Sequence, residues 1–562
     1  MILSRRRFLA ALSLSASAQS PSPPLFEELD LARAGIRFRH DNAMSPQRYL
    51  PEAIGPGCAI FDYDNDGWPD LLFVNSGPSI FYQPKSPYPS CTLYKNNRDG
   101  SFTDVTAQAG LNPSFFGMGC AVADIDNDGW PDLLLTGFGR LYLYRNNRNG
   151  SFTDITASSG LAHLPSQWTT SAAFADTTGS GRLDLFLCAY VNFGAKPPFA
   201  SCGDNRLGRN FYCVPRVFAG LSSLLFLNQG DARFKLASSA TPIELNRGKS
   251  LGVVATDINN DGRPDFFVAN DTVPNFLFVH RGLDAARSPK WEEIGLASEL
   301  GYGENGQARS GMGAEAGDFD QDGWEDLFVT NIDQEMYSLY RNNHDETFLD
   351  IAPRTGLAQA TRLMSGWGVK LFDFDNDGRL DLILANSHPD DMIENYSDKI
   401  KYRMPLQLFH NQGAKLLDIS AQAGPAFARP LSSRGLAVGD LFNRGRLDVV
   451  VATNGGPPLI LKNNAPATNH WLGLRLEGTK ANRDAIGARL RWRNSHRQVN
   501  GGGSYLSAHD PRLILGLGPD PSPLTLDVLW PWPSRRLERF ENLTPLRYHL
   551  IREGSGKPLP QQ

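Results

Sequence analysis

Two apolar columns recur along the chain, each ahead of a run of aspartates. Four residues before the first aspartate of each run stand Cys58, Cys120, Ala172, Val253, Ala314, Val369 and Leu436. Two residues before it stand Ile60, Val122, Phe174, Ala255, Ala316, Leu371 and Val438. Apolar positions at a period of two predict a strand with one face in a core. A second apolar strand follows each run, as in Leu133–Thr136. A third, as in Leu141–Tyr144, ends in Asn146-Asn147, and after a glycine turn comes a fourth, as in Phe152–Thr156. Four short strands per unit predict antiparallel sheets, and sheets of this kind repeated radially make propeller blades.

Seven such units begin their aspartate runs at Asp62, Asp124, Asp176, Asp257, Asp318, Asp373 and Asp440. The seventh stops after three strands, near Asn464, while Phe26–Gly35 resembles the fourth-strand sequence Phe102–Gly110. The N-terminal strand is therefore expected to complete the last blade and close the ring, which removes exposed sheet edges. The predicted fold is all-β, a seven-bladed β-propeller over residues 26–466. A small β-sandwich-like domain follows over 467–556, where apolar strands alternate with glycine-rich turns. Trp471, Trp530 and Trp532 in that domain are expected to pack in its core rather than stack on sugars.

The aspartate runs carry the candidate chemistry. In Asp318-Phe-Asp320-Gln-Asp322-Gly323-Trp-Glu-Asp326, carboxylates at positions 1, 3, 5 and 9 surround a glycine at position 6. Like charges ~4 Å apart repel by about 4 kcal/mol at a surface-like dielectric. Such a loop needs a cation, and calcium, with six to eight oxygen ligands and tolerant geometry, suits it. Position 12 is already inside a strand, so the loop is not an EF-hand, which needs a glutamate there and flanking helices. Five loops carry the full oxygen set and predict about five calcium ions: Asp62, Asp64, Asp66 and Asp70; Asp124, Asp126, Asp128 and Asp132; Asp257, Asn259, Asp261 and Asp265; Asp318, Asp320, Asp322 and Asp326; Asp373, Asp375, Asp377 and Asp381. Two loops are degraded. That at Asp176 has Thr178 and Ser180, and that at Asp440 has Phe442 and Arg444, whose guanidinium is expected to pair with Asp440 or Asp448 in place of an ion.

A net charge of −5 over 562 residues gives no support to nucleic-acid binding, and no run of eighteen apolar residues marks a membrane span. Residues 1–18 read as a twin-arginine export signal: Ser4-Arg5-Arg6-Arg7-Phe8-Leu9, an apolar stretch, then Ala16-Ser17-Ala18. Export predicts a periplasmic, secreted or surface protein. In such a compartment Cys202 and Cys213, eleven residues apart in one insertion, are the expected disulfide, whereas Cys58 and Cys120 read as small core residues.

The repeats resemble the FG-GAP (VCBS-like) repeats of integrin α-subunit propellers. The tail is similar to the ASPIC/UnbV domain through Asn469-His-Trp471-Leu, Asn482-Arg-Asp484-Ala-Ile486-Gly487-Ala, Gly501-Gly-Gly-Ser-Tyr505-Leu-Ser507, Leu515-Gly516-Leu-Gly518 and Trp532-Pro533-Ser534. Arg535 departs from the glycine usual after Trp-Pro-Ser. Together the two modules resemble the bacterial relatives of cartilage acidic protein. The resemblance implies calcium binding and extracellular interaction, and no reaction. Loops on the face opposite the aspartates are the expected recognition surface for a protein or glycan partner, with Asn270, Asp271, His388, Asp390 and Asp391 as candidates. The expected class is a binding or adhesion protein with structural calcium, not an enzyme. The alternative is an enzyme acting on an extracellular polysaccharide at that opposite face.

Overall fold

The computed structural model describes residues 24–85, 90–162, 167–194, 196–204, 208–237 and 241–560. The export signal expected over 1–18 lies outside them. The fold is all-β, built on seven antiparallel sheets that follow one another along the chain. Their first strands are Cys58–Phe61, Phe116–Ala123, Thr169–Ala175, Ser250–Thr256, Ala314–Gly317, Gly366–Phe372 and Ser433–Gly439, and the sheets are numbered one to seven in that order. Sheets one to six each draw four consecutive repeat strands from one unit. Sheet seven takes its fourth strand, Phe26–Glu28, from the N-terminus, where Phe26 pairs with Asn463 and Glu28 with Leu461. Strands one and two of each sheet are joined by an acidic loop, so side chains alternate between the interfaces with the two neighbouring sheets. Apolar clusters accordingly lie between successive sheets: Phe73, Val450 and Ile460 join sheets seven and one, and Leu135, Leu93 and Phe61 join one and two.

One side-chain bond recurs from sheet to sheet. A residue in the second half of the third strand donates to the carbonyl at position 2 of the preceding sheet's acidic loop. Asn146 Nδ2 reaches Tyr63 O, Asn228 Nδ2 reaches Ile125 O, and His280 Nε2 reaches Thr177 O, each at 2.8 Å. Asn342 reaches Ile258 O, Asn411 reaches Phe319 O and Asn463 reaches Phe374 O. The series returns on itself, since Asn96 Nδ2 of sheet one reaches Leu441 O of sheet seven at 2.8 Å.

The C-terminal region forms two further sheets around one core that includes Leu472, Leu490, Trp492, Leu515, Val528 and Trp530. Its strands include His470–Glu477, Leu513–Gly518 and Tyr548–Arg552 in one sheet, and Arg489–Trp492, Ser495–Gln498, Leu524–Leu529 and Leu537–Leu543 in the other. Between them the chain leaves this region and runs among the seven first strands. Gly502 pairs with Val254, Ala508 bridges to Ala59, and Ser504 bridges to Ala314. Cys120 N donates to Leu506 O, Leu506 N to Ser171 Oγ, Val369 N to Ser504 Oγ, and Ser504 Oγ to Leu436 O. All seven first strands thus touch residues 502–508. Tyr505 and Leu506 are fully buried there, beside Trp168, Trp367 and Met118. The glycines make this route passable. Gly502 has φ +75°, and a Cβ on it would lie 2.8 Å from Val253 O; a Cβ on Gly501 would lie 2.1 Å from Phe174 O.

Cys202 and Cys213 are disulfide-bonded, and Cys58 and Cys120 are buried free thiols. Among the described residues no helix is long and apolar enough to cross a membrane.

Candidate functional site

The acidic loops divide their carboxylates between two tasks. Position 1 holds the turn together. Asp62 accepts from Asp66 N at 3.0 Å and Gly67 N at 2.8 Å, and Asp124 from Asp128 N at 2.9 Å and Gly129 N at 2.6 Å. Asp257, Asp318 and Asp373 do the same. Position 9 ties the loop to strand three. Asp132 accepts from Asn146 N at 2.8 Å and Ile125 N at 3.1 Å, and Asp70, Asp265, Asp326 and Asp381 repeat the pattern. The degraded loops keep both pins: Asp176 and Asp184 in sheet three, Asp440 and Asp448 in sheet seven. Aspartate at 1 and 9 is therefore a folding requirement of every loop, whatever it binds.

Position 3 is different. Asp64 Oδ1 and Asp126 Oδ1 are buried and have no hydrogen-bond partner. An unsatisfied buried acceptor is costly unless something else fills it. In loops two, five and six, carboxylate oxygens of positions 1, 3 and 9 all lie within 4.8 Å of one another; in loop one, those of positions 1, 3 and 5 do. Burial, followed by neighbouring carboxylates, pushes Asp62 and Asp318 up to about 6 and Asp373 up to about 8. Asp124 rises to about 8 through burial and the nearby Asp484 of the C-terminal region. Crowded, buried carboxylate oxygens, with Asp64 Oδ1 and Asp126 Oδ1 left without a hydrogen bond, fit a hard divalent cation such as calcium. Loop four is not among these clusters: Asn259 Nδ2 donates to Glu346 Oε1 at 2.9 Å and Arg263 pairs with Asp261.

Basic residues on the third strand lean over the loops, a feature the sequence reading passed over. Lys95 pairs with Asp64 and Asp66, and Arg98 with Asp66 at 3.0 Å. Arg145 lies 2.6 Å from Asp126 and Arg148 2.7 Å from Asp128. In loops five and six the equivalent approach is made by imidazoles, His344 on Asp322 at 2.8 Å and His410 near Asp377 at 3.6 Å. The signal was present in the strand endings Lys95-Asn-Asn-Arg98, Arg145-Asn-Asn-Arg148 and Arg341-Asn-Asn-His344.

The C-terminal region lies against the acidic loops. Asp484 accepts from Asp124 N at 2.8 Å, Arg535 donates to Asp261 O, Asn469 to Asp375 O, and Tyr548 Oη to Asp440. Arg444 pairs with Asp448 at 2.9 Å, so the guanidinium stands where the full loops keep an oxygen set. Both degraded loops receive a tryptophan: Trp532 packs on Gly179 and Trp471 on Gly445, so close that a Cβ on Gly445 would lie 1.8 Å from the ring. Trp530 alone of the three sits in the domain core, donating to Glu538 Oε2 at 2.8 Å.

Three of the five candidates for partner recognition, Asn270, Asp271 and His388, are buried. Asn270 is fully buried and accepts from Lys249 N and Ser250 Oγ. Asp271 is buried and accepts from Tyr190 Oη at 2.5 Å; His388 is buried 3.4 Å from Asp333. Asp390 caps Met392 N, and Asp391 forms an ion pair with Arg48 at 2.9 Å. Asp390 and Asp391 are half-buried.

Residues 62–135, 124–187 and 318–384 match the FG-GAP-like repeat, and residues 478–558 match ASPIC and UnbV. Cartilage acidic protein 1 of Xenopus tropicalis is 25% identical over 521 residues, covering 86% of this chain and 72% of that protein. Integrin alpha-7 of Mus musculus is 26% identical over 140 residues, 21% of this chain and 12% of that protein. Among solved structures, an Agrocybe aegerita lectin described as recognising non-reducing terminal N-acetylglucosamine aligns at 14% identity with a TM-score of 0.38, covering 66% of this chain and 82% of that one.

Proposed function

We propose that this chain, in which FG-GAP-like repeats are followed by an ASPIC and UnbV segment, is an exported, calcium-stabilised, seven-bladed β-propeller that acts as an extracellular or periplasmic binding protein. The seven sheets are its blades. The observation that carries the closed ring is the cycle of third-strand side chains, which runs through every sheet and returns from Asn96 to Leu441. Calcium would be held by positions 1, 3, 5 and 9 of the full loops, with loops one, two, five and six presenting the tightest oxygen sets. When bound, the ion supplies charge neutralisation to buried carboxylates and nothing reactive.

Residues 502–508 run among all seven first strands with Tyr505 and Leu506 fully buried. A pocket of about 200 Å³ lies beside them, lined by Ala121, Ala172, Gly317, Lys370 and His509. Cartilage acidic protein 1 and integrin alpha-7 among the relatives agree with an adhesion-type role and a protein or glycan ligand. The test is an array of extracellular glycans and proteins probed with the mature chain in calcium and in chelator. A specific ligand retained in calcium alone supports the reading. Turnover of any arrayed glycan would replace it with a catalytic one.

A further inference from the structure

The five-stranded C-terminal sheet has one face in the domain core and one face turned to acidic loops four and five. Register fixes which residues share the second face. Arg489 pairs with Gln498 and Leu529, Arg491 with His496 and Asp527, and Asp527 with Arg539. Directly paired residues point to the same side of a sheet, so Arg489, Arg491, His496, Asp527 and Arg539 lie together. They floor an open pocket of about 590 Å³, walled by Asn260, Gly323 and Glu325 of the loops and by Arg535 and Arg497. That volume is in the range of small-molecule sites.

Five arginines and two carboxylates, Glu325 and Asp527, line this pocket. Asp257 acts on Arg489 from outside it, and Asp373, Asp318 and Glu315 act on Arg497. Asp527 is already shared by Arg539, at 2.6 and 2.9 Å, and Arg491, at 3.1 Å. Arg535 is held by Asp261 O at 2.8 Å. The guanidinium of Arg489 makes no hydrogen bond or ion pair among the described residues, whereas Arg497, paired with the core residue Leu490, belongs to the other side of the sheet. His496 Nδ1 is buried and unpartnered, 4.0 Å from Asp318. Guanidinium groups clustered like this repel one another, and their planar forks match carboxylate, sulfate and phosphate oxygens.

We propose that this pocket binds a small dianion, a dicarboxylate, inorganic sulfate or a phosphate monoester, held between Arg489 and Arg491. The site belongs to the C-terminal region and to loops four and five together, so it exists only when the two are docked.

The test is isothermal titration calorimetry on the mature full-length chain with succinate, inorganic sulfate and glucose 6-phosphate, and with glucose as the neutral control. One site per chain is expected for at least one anion and none for glucose, with affinity falling as salt is raised. The preferred anion identifies the source chemistry. Arg489→Gln and Arg491→Gln should each weaken it at least tenfold. Arg491 is exposed, so its variant keeps the wild-type melting temperature even where Arg489→Gln loosens the domain. Absence of binding by all three anions at millimolar concentration would overturn the proposal. So would an affinity that Arg491→Gln, folded as wild type, leaves unchanged.

Discussion

Asn96 Nδ2 donates to Leu441 O at 2.8 Å, joining residues 345 positions apart in sequence. The same amide also donates to Pro69 O at 3.0 Å, and Asn96 is almost wholly buried. One side chain thus links the first unit of the chain to the last and satisfies two carbonyls that have no water to turn to. Asn96→Ala leaves both acceptors unfilled. The expected cost is about 2–4 kcal/mol, from about 1–3 kcal/mol per unsatisfied buried group. Urea denaturation measures it. The neighbouring Asn97, whose bonds to Ser101 and Thr103 are exposed, is the control, with an expected change within about 0.5 kcal/mol on replacement by alanine.

The division of labour within the loops predicts two kinds of variant. Asp132 is bonded to two backbone amides, so Asp132→Ala should lower the melting temperature in calcium and in chelator alike. Asp126 has a buried oxygen with no hydrogen-bond partner, so Asp126→Asn should lower it in calcium and leave the chelated protein unchanged or slightly more stable. Equal effects of Asp126→Asn in both buffers would show that position 3 does not serve an ion.

The raised carboxylates give a pH dependence with a definite sign. Asp62 and Asp318 are lifted to about 6, and Asp124, Asp132 and Asp373 to about 8, each chiefly by burial. A group whose folded pKa exceeds its unfolded value binds more protons when folded, so stability falls as pH rises between the two. Without metal, this contribution is full below about pH 4 and is lost progressively between pH 4 and 8. Melting curves in chelator should therefore shift down from pH 5 to pH 8. Calcium should reverse much of the loss at pH 8, because it binds the ionised form.

How much of this was legible in sequence depends on whether a residue obeyed the repeat. The two apolar columns placed every first strand, and the likeness of Phe26–Gly35 to Phe102–Gly110 placed the strand that completes sheet seven. Position 1 and position 9 aspartates were read as ligands alone; that each also accepts backbone hydrogen bonds shows only in the fold, because both tasks demand a carboxylate. The run Gly501-Gly-Gly-Ser-Tyr-Leu-Ser507 was visible as a motif, yet nothing local in it says that it crosses between domains. The one column left unread held a clue. Ala59, Ala121, Ala173, Val254, Glu315, Lys370 and Ala437 stand three before each first aspartate, and the two charged members form a pair at 3.1 Å beside that segment.

The crossing segment itself predicts a sharp sensitivity. Gly502→Val puts a branched side chain at φ +75°, with its Cβ 2.8 Å from Val253 O. The variant should expel residues 501–510 from among the first strands. Limited proteolysis would then cut between residues 500 and 512 far faster than in the wild type, while Gly306→Val, at an open and equally left-handed turn, should not open that stretch.

The central claim, that buried loop carboxylates are held by divalent cations, is tested most directly by counting metal in the purified mature chain after dialysis against calcium buffer. Elemental analysis should find four or five calcium ions per chain, one for each loop with a full oxygen set. A protein that emerges folded from the same dialysis with essentially no calcium would contradict the account.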